Sequence, residues 1–491
     1  MYKEAIKDAI FIHELPSKWS PEVLKEANLV SNKIENTKDR KDLTNLAFVT
    51  IDGEDAKDFD DAIFCKENNK GFTLFVAIAD VSFYVKTGSK LDNEAKKRGT
   101  SIYFPSSVIP MLPEKLSNNI CSLKPNEDRY AMVCEMSIDP RGKKNKYKFY
   151  RAIINSKSRF TYEEIEAHIK KSKILKPSPA INSIEILTKL TKRRLKIRKK
   201  RKALELNPKE AILELNQKKE ISKIIIKKTL MAHKLVEESM LLANESAAKY
   251  ILERNDFGVF RVHENPDPSK LDLLKRHFKV PFKTAKKLTP LGVINFCLNK
   301  ANETQDDIGQ VLVLQTLARA EYSEKNIGHF GLQLNQYTHF TSPIRRYPDL
   351  LVHRIINNSL VSKKIKMNQG FLKDKCEKSS MLERRAEKAS RQVEQVLICL
   401  HLKKKIGSTL SGVIVGVTDF GLFVNLESYF ISGLLHVSDL SKDRYEYFKN
   451  TNAIKGRKTG KIYRLGQKIK VKIAAIIPLE RKITLLVAHG K

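Results

Sequence analysis

Acidic residues are scarce in this chain: 56 Asp and Glu stand against 91 Lys and Arg over 491 residues, a formal charge of +35. Cysteine is sparse too. The six thiols (Cys65, Cys121, Cys134, Cys297, Cys376 and Cys399) are scattered with no C-x-x-C pair. That excludes a disulfide framework and a zinc cluster and fits a reducing, cytoplasmic setting. No apolar run approaches the roughly 20 residues of a membrane helix, and Met1–Lys7 lacks the basic-then-apolar layout of a secretory signal. Internal repeats and low-complexity segments are absent as well. With 41% hydrophobic residues and a mean hydropathy of −0.38, the chain reads as a soluble protein of two or more domains. Its charge points toward nucleic acid, although the Lys-, Ile- and Asn-rich composition is also what an AT-biased genome favours.

Against that shortage of acids, six of them crowd into Thr50–Asp61 (TIDGEDAKDFDD): Asp52, Glu54, Asp55, Asp58, Asp60 and Asp61. Crowded carboxylates raise one another's pKa unless a cation neutralises them. Hard oxygen ligands favour Mg²⁺ or Mn²⁺ over zinc. The spacing D-x5-D-x-D-D (Asp52, Asp58, Asp60, Asp61) is not an EF-hand, because Lys57 stands where the hinge glycine belongs and Ile63 where the bidentate glutamate belongs. It suits a one- or two-metal phosphodiesterase centre; a solvated acidic turn is the plainer alternative. Asp58 and Asp60 share one side of an extended segment and Asp61 takes the other, so a turning loop is needed to bring all four together.

Leu46–Ile51 runs as a strand into this loop, Asp61–Cys65 leaves it as another, and Thr73–Asp80 follows a Lys70-Gly71 turn. From about 185 to 255 the pattern is helical, with nine basic residues among the eleven of Lys192–Lys202, a run that usually marks a solvated helix face. Pro343–Leu400 is helical again. From Gly407 onward about five short strands alternate with glycine and polar turns, the rhythm of an OB-type barrel. Phe420, Phe423 and His436, with Lys468, Lys470 and Lys472 alternating along one strand, suit a single-strand platform.

Two further segments carry candidate chemistry. In Tyr337–Asp349 (YTHFTSPIRRYPD), prolines five apart frame Arg345 and Arg346, whose forked donors match phosphate oxygens. The structural alternative for either is an ion pair, for instance with Asp349. Arg98–Pro105 (RGTSIYFP) sets Tyr103 and Phe104 beside a glycine turn, where stacking on bases competes with burial in the core.

Thr50–Ala62, Ala77–Ser82 (AIADVS), Arg98–Pro105, Val108–Leu112, Tyr337–Arg354 and the FGLFV…GLLHVSDL tail occur in one order. Together they resemble the RNase II/RNase R (RNB) family of exoribonucleases, and within it the ribonuclease R branch, across residues 45–489. The resemblance implies an α+β protein: a lead-in over 1–40, an RNB catalytic domain (β-rich core with surrounding helices) over 41–400, and a C-terminal OB-fold S1 β-barrel over 405–489. It implies a Mg²⁺-dependent (or Mn²⁺-dependent), processive hydrolase that degrades single-stranded RNA from its 3′ end to nucleoside 5′-monophosphates. The expected partner is RNA, with no membrane and no small-molecule cofactor beyond the metal, and the expected state is a monomer. Asp52, Asp58, Asp60 and Asp61 match the family's four site aspartates, with Asp60 the most critical, Asp58 beside it, and Asp52 and Asp61 foremost as metal ligands. Tyr103 matches the tyrosine stacked on the 3′-terminal nucleotide, and Arg345 the arginine on the scissile phosphate. The branch usually adds cold-shock-type OB domains before the catalytic domain and a Lys-rich extension after S1; the residues before 40 and after 487 are too few to supply them. A non-catalytic RNA-binding protein on the same scaffold is the rival reading, and a DNA nuclease a third.

Overall fold

The computed structural model describes the chain except for residues 36, 207–210, 255–256, 305–306, 362–368, 442, 449–452 and 489–491. The last residue of the expected S1 segment and the middle of the helical stretch after Pro343 therefore lie outside the described residues.

The larger, N-terminal part of the chain is organised around a six-stranded sheet in the order Lys41–Asp42, Lys144–Thr161, Phe48–Asp52, Asp61–Asn68, Gly71–Ala79, Asp128–Ile138. Gly71–Ala79 is buried almost end to end, as a central strand covered on both faces must be. Lys144–Thr161 pairs with Asp128–Ile138 from Lys144 to Asn155 and with Phe48–Asp52 from Ser156 to Thr161, so one strand ties the two sides of the sheet together. Phe48–Asp52 and Asp61–Asn68 are neighbours with a single registered pair, Val49↔Ile63. The acidic loop is the chain between their ends, and the expected strand–loop–strand layout holds.

Helices wrap this sheet. Pro179–Lys200 packs along Asp61–Asn68, where Ser183 Oγ accepts from the Cys65 N–H at 2.8 Å. Met231–Leu252 lies beside it with thirteen buried residues, as a helix sandwiched between layers requires. Between these two helices in sequence, within the stretch of helical pattern, stands a hairpin of Ala211–Leu215 and Ile221–Ile226. Its β-branched residues favour strand, and their alternation is too short to stand out from helical neighbours.

The lead-in is more structured than a linker. Tyr2–Ile12 buries Ala5 and Ala9 in a core shared with the 35-residue helix Gln369–Lys403 and the C-terminal barrel. The barrel is closed by Thr409–Val417, Gly421–Leu426, Ile431–His436, Lys482–Val487 and Lys468–Ile477, the five strands expected. A separate three-stranded sheet (Tyr445–Phe448, Ala453–Gly456, Ile462–Arg464) was not anticipated. All six cysteines are buried free thiols, and no helix of the described residues is long and apolar enough to cross a membrane.

Candidate active site

Asp52 ends one strand and Asp61 begins its neighbour, so both carboxylates leave the same end of the sheet. The loop between them is pinned at several points. The Phe59 ring is buried, its N–H donates to Ser122 Oγ at 3.0 Å, and Ser122 Oγ donates to the Lys57 carbonyl at 2.8 Å. Leu123 N–H donates to the Phe59 carbonyl and Ala79 N–H to the Asp60 carbonyl. From the adjoining strand, Arg159 Nη2 donates to the carbonyls of Gly53 and Glu54 at 2.7 and 2.6 Å. A loop of like charges is thus held against its own repulsion by backbone bonds and one arginine.

Asp60 is 3% exposed, and both its oxygens are engaged. Oδ1 accepts from the Ile344 N–H at 2.8 Å and Oδ2 from Arg345 Nε at 3.2 Å. This contact joins residues 285 apart in sequence. It exists because the turn Ser342–Arg346 is built independently. Asp349, fully buried, accepts from the Ser342 N–H and from Arg346 Nη2, and Arg345 Nη2 donates to Ser342 Oγ. The turn then docks on the glycine segment: Ser101 N–H and Thr100 Oγ1 donate to the Arg345 carbonyl, and Tyr347 N–H donates to that of Gly99. Gly99 has φ +73°, and an added Cβ would meet Leu382 at 2.6 Å, so only glycine fits this approach.

The adjacent arginines divide accordingly. Arg346 is the ion-paired structural residue, whereas Arg345 reaches Asp60 with its side chain 44% exposed, open to a ligand. The two aromatics divide as well. Phe104 is in the core, while Tyr103 is 47% exposed and donates from its hydroxyl to Asp58 Oδ2 at 3.1 Å.

The carboxylates are high in energy as they stand. Burial, with Asp58 nearby and Arg345 and Arg159 opposing, pushes Asp52 up to about 6. Burial and Asp52 push Asp61 up to about 8, and burial lifts Asp60 well above the usual range despite Arg345. Asp60 and Asp58 are turned to hydrogen-bond donors, whereas Asp52 and Asp61 have no hydrogen-bond partner among the described residues. No three His, Cys, Asp or Glu groups among those residues form a cage for an ion. The four aspartates therefore share one electrostatic site without closing on one point. That donor set still fits Mg²⁺, which is held through one or two carboxylates plus substrate phosphate oxygens and water rather than in an all-protein cage.

Sequence reasoning missed Arg159 and Ser122, neither of which sits in a distinctive spacing, and gave no role to the Ile344 N–H inside Tyr337–Asp349. It missed Tyr162 too, which follows the strand end beside Asp52, stacks on His233 at 4.2 Å, and has its phenol raised by burial and by Asp52 and Asp61.

In the barrel, Phe420 and Phe423 are 45% and 37% exposed with ring centroids 6.0 Å apart. His436 is exposed opposite Gly421, and the Val437 N–H donates to the Phe420 carbonyl. Lys468, Lys470 and Lys472 are exposed on the strand that flanks Thr409–Val417 from the other side.

Comparison with known proteins agrees with this division. Residues 40–362 match the RNB domain and residues 403–487 the S1 RNA binding domain. The chain is 40% identical to the Ribonuclease R of Vibrio parahaemolyticus over 95% of its own length and 58% of that relative's, so it spans under two thirds of that relative. Among solved structures, Mycoplasma genitalium RNase R in complex with ribose methylated single-stranded RNA superposes with a TM-score of 0.94 at 32% identity, over 99% of this chain and 78% of the other. The same protein in complex with double-stranded RNA gives 0.87 at 30% identity, over 99% and 83%.

Proposed function

This chain belongs to the RNB family, with an S1 domain following the RNB domain, and from that premise we propose that it is a 3′→5′ exoribonuclease. It binds the 3′ end of single-stranded RNA, hydrolyses the terminal phosphodiester and releases nucleoside 5′-monophosphates, processively, as a cytoplasmic monomer. The observation that carries this reading is Asp60, buried among Asp52, Asp58 and Asp61 with one oxygen on the Ile344 N–H and the other on Arg345.

Mg²⁺ (or Mn²⁺) would be held first by Asp52 and Asp61 and would supply charge neutralisation and an acidified water at the phosphate. The chain's own residues do the rest. Arg345, open on one side, presents forked N–H donors to the phosphate oxygens on which charge grows. Asp60 orients that guanidinium and is itself fixed by the Ile344 N–H, so no reorganisation is needed as charge develops. Tyr103 offers its ring to the terminal base, its hydroxyl tethered to Asp58. The barrel aromatics and Lys468–Lys472 receive the upstream strand.

The test is 5′-labelled single-stranded RNA incubated with the purified chain in Mg²⁺ or EDTA. Mg²⁺-dependent conversion to a short 5′ fragment without intermediates is expected. Binding without cleavage in Mg²⁺ would overturn the assignment in favour of a non-catalytic RNA-binding scaffold.

A further inference from the structure

The basic run that looked like an undifferentiated solvated helix is sorted by the fold into two sets. On Pro179–Lys200, Arg194 and Arg198 turn inward. Arg194 donates to the Gly142 carbonyl at 3.0 Å and lies 3.5 Å from Glu238; Arg198 meets Glu237 at 2.6 Å and Glu238 at 3.3 Å. Lys192, Arg193, Lys196, Lys199 and Lys200 turn outward, and among the described residues none of the five has an acidic partner. With Lys189, which pairs with Glu67 at 2.9 Å, they recur every three to four residues along one face. They line that face as a strip about 16 Å long, partly a shallow groove of about 450 Å³ floored by Leu195.

A second element extends the strip. The turn at Gly142 (φ +91°) packs so closely that an added Cβ would meet the Arg193 Cβ at 2.9 Å, which sets exposed Arg141 and Lys143 beside Arg193. The acids nearby are few and engaged: Glu67 with Lys189, Glu185 with His168, and Asp139 with the backbone N–H groups of Arg141 and Lys143.

We propose that this strip is a second RNA contact, taking the sugar–phosphate backbone upstream of the catalytic site. The proposal rests on the exoribonuclease reading above. The five unpaired cations, Lys192 to Lys200, span about 12 Å of the helix, room for a short run of consecutive phosphates on one strand. The helix runs along Asp61–Asn68 from Ser183 at Cys65 to Lys189 at Glu67. The strip therefore begins about 20 Å from Asp61, at roughly 3.3 Å per strand residue. An RNA engaged at the acidic site reaches it only when long enough.

The test is a five-site variant, Lys192→Ala, Arg193→Ala, Lys196→Ala, Lys199→Ala and Lys200→Ala, in the full chain; alanine keeps the helix. Binding in EDTA is measured against salt for unstructured RNAs of about five and about thirty nucleotides, with an expected shallowing of the log–log salt slope by about 3 for the long RNA only. Affinity for the long RNA should fall at least about tenfold at low salt, while binding and Mg²⁺-dependent cleavage of the short RNA stay as in the parent. An unchanged slope and affinity for the long RNA overturns the proposal and leaves a solvated face or an acidic protein's dock. Equal loss for both lengths overturns it too. Failure of the exoribonuclease reading shows separately, as a parent protein that leaves both RNAs uncut in Mg²⁺.

Discussion

In the acidic site the groups around Asp60 are fixed by one another. Asp60 is held by Ile344 and Arg345, Arg345 by Ser342, and Ser342 in turn by Asp349. On the barrel the groups proposed to meet RNA stand almost alone: Phe420 and Phe423 touch each other, and among the described residues the His436 ring bonds only to the neighbouring Ser438. Charge that must stabilise a transition state has to be oriented in advance in a water-poor setting. Rings and lysines that hold a strand of any sequence gain from exposure and adaptability. The acidic site is therefore costly to fold and unforgiving of change, whereas the barrel face is cheap to build and tolerant.

The contrast breaks most sharply at Asp60. Asp60→Asn keeps the acceptor for the Ile344 N–H and removes the charge; cleavage of labelled RNA should fall by about 10⁴-fold or more with RNA affinity retained, and residual turnover near the parent's would show that another carboxylate is critical. The neighbouring arginines come next. Arg345→Ala should lower the cleavage rate by about 10²–10³-fold with a smaller loss in binding, so equal losses would reassign it to ground-state binding. Arg346→Ala leaves Asp349 buried and unpaired, and should cost about 3–5 kcal/mol of stability in denaturant unfolding.

A weaker effect is the pH dependence of stability in EDTA. Asp52 and Asp61, at about 6 and about 8, have folded-state values above their ordinary 3.8. The folded chain therefore binds more protons, and their contribution is lost as pH rises through those values. The melting temperature should decline between pH 4 and 8, and Asp61→Asn should flatten that decline; an identical slope in the variant would contradict the strain assigned to the pair. Phe423→Ala is the mildest change, expected to weaken long-RNA binding by about 1 kcal/mol with unfolding and short-RNA cleavage unaltered. A large stability loss there would mean that the barrel face is as interlocked as the acidic site.

Much of this was legible because it is local. The strand–acid–strand order around Asp52–Asp61 and the five barrel strands follow from alternation and turn residues within a few positions of each other. The hairpin at Ala211–Ile226 and the sheet at Tyr445–Arg464 escaped notice because short strands embedded in other patterns have little periodicity of their own. Within the site, residue types were readable but their assignments were not. Asp58, Asp60 and Asp61 stand within four positions, yet one meets Tyr103, one Arg345 and one Asp52.

The sequence by itself determined the chemistry on offer: a nest of carboxylates in a basic chain, a double arginine between prolines, and an aromatic, basic barrel. Only the tertiary structure decided how that chemistry is shared out. It made Arg345 the more open cation and Arg346 the ion-paired strut on buried Asp349, left Tyr103 outside and Phe104 inside, and turned two arginines of the basic run inward while five cations of its helix face out. The physical reason is that burial and partner are set by contacts between distant segments, Asp60 and Arg345 being 285 residues apart, and these fix which of two adjacent, chemically similar side chains stays open to a ligand.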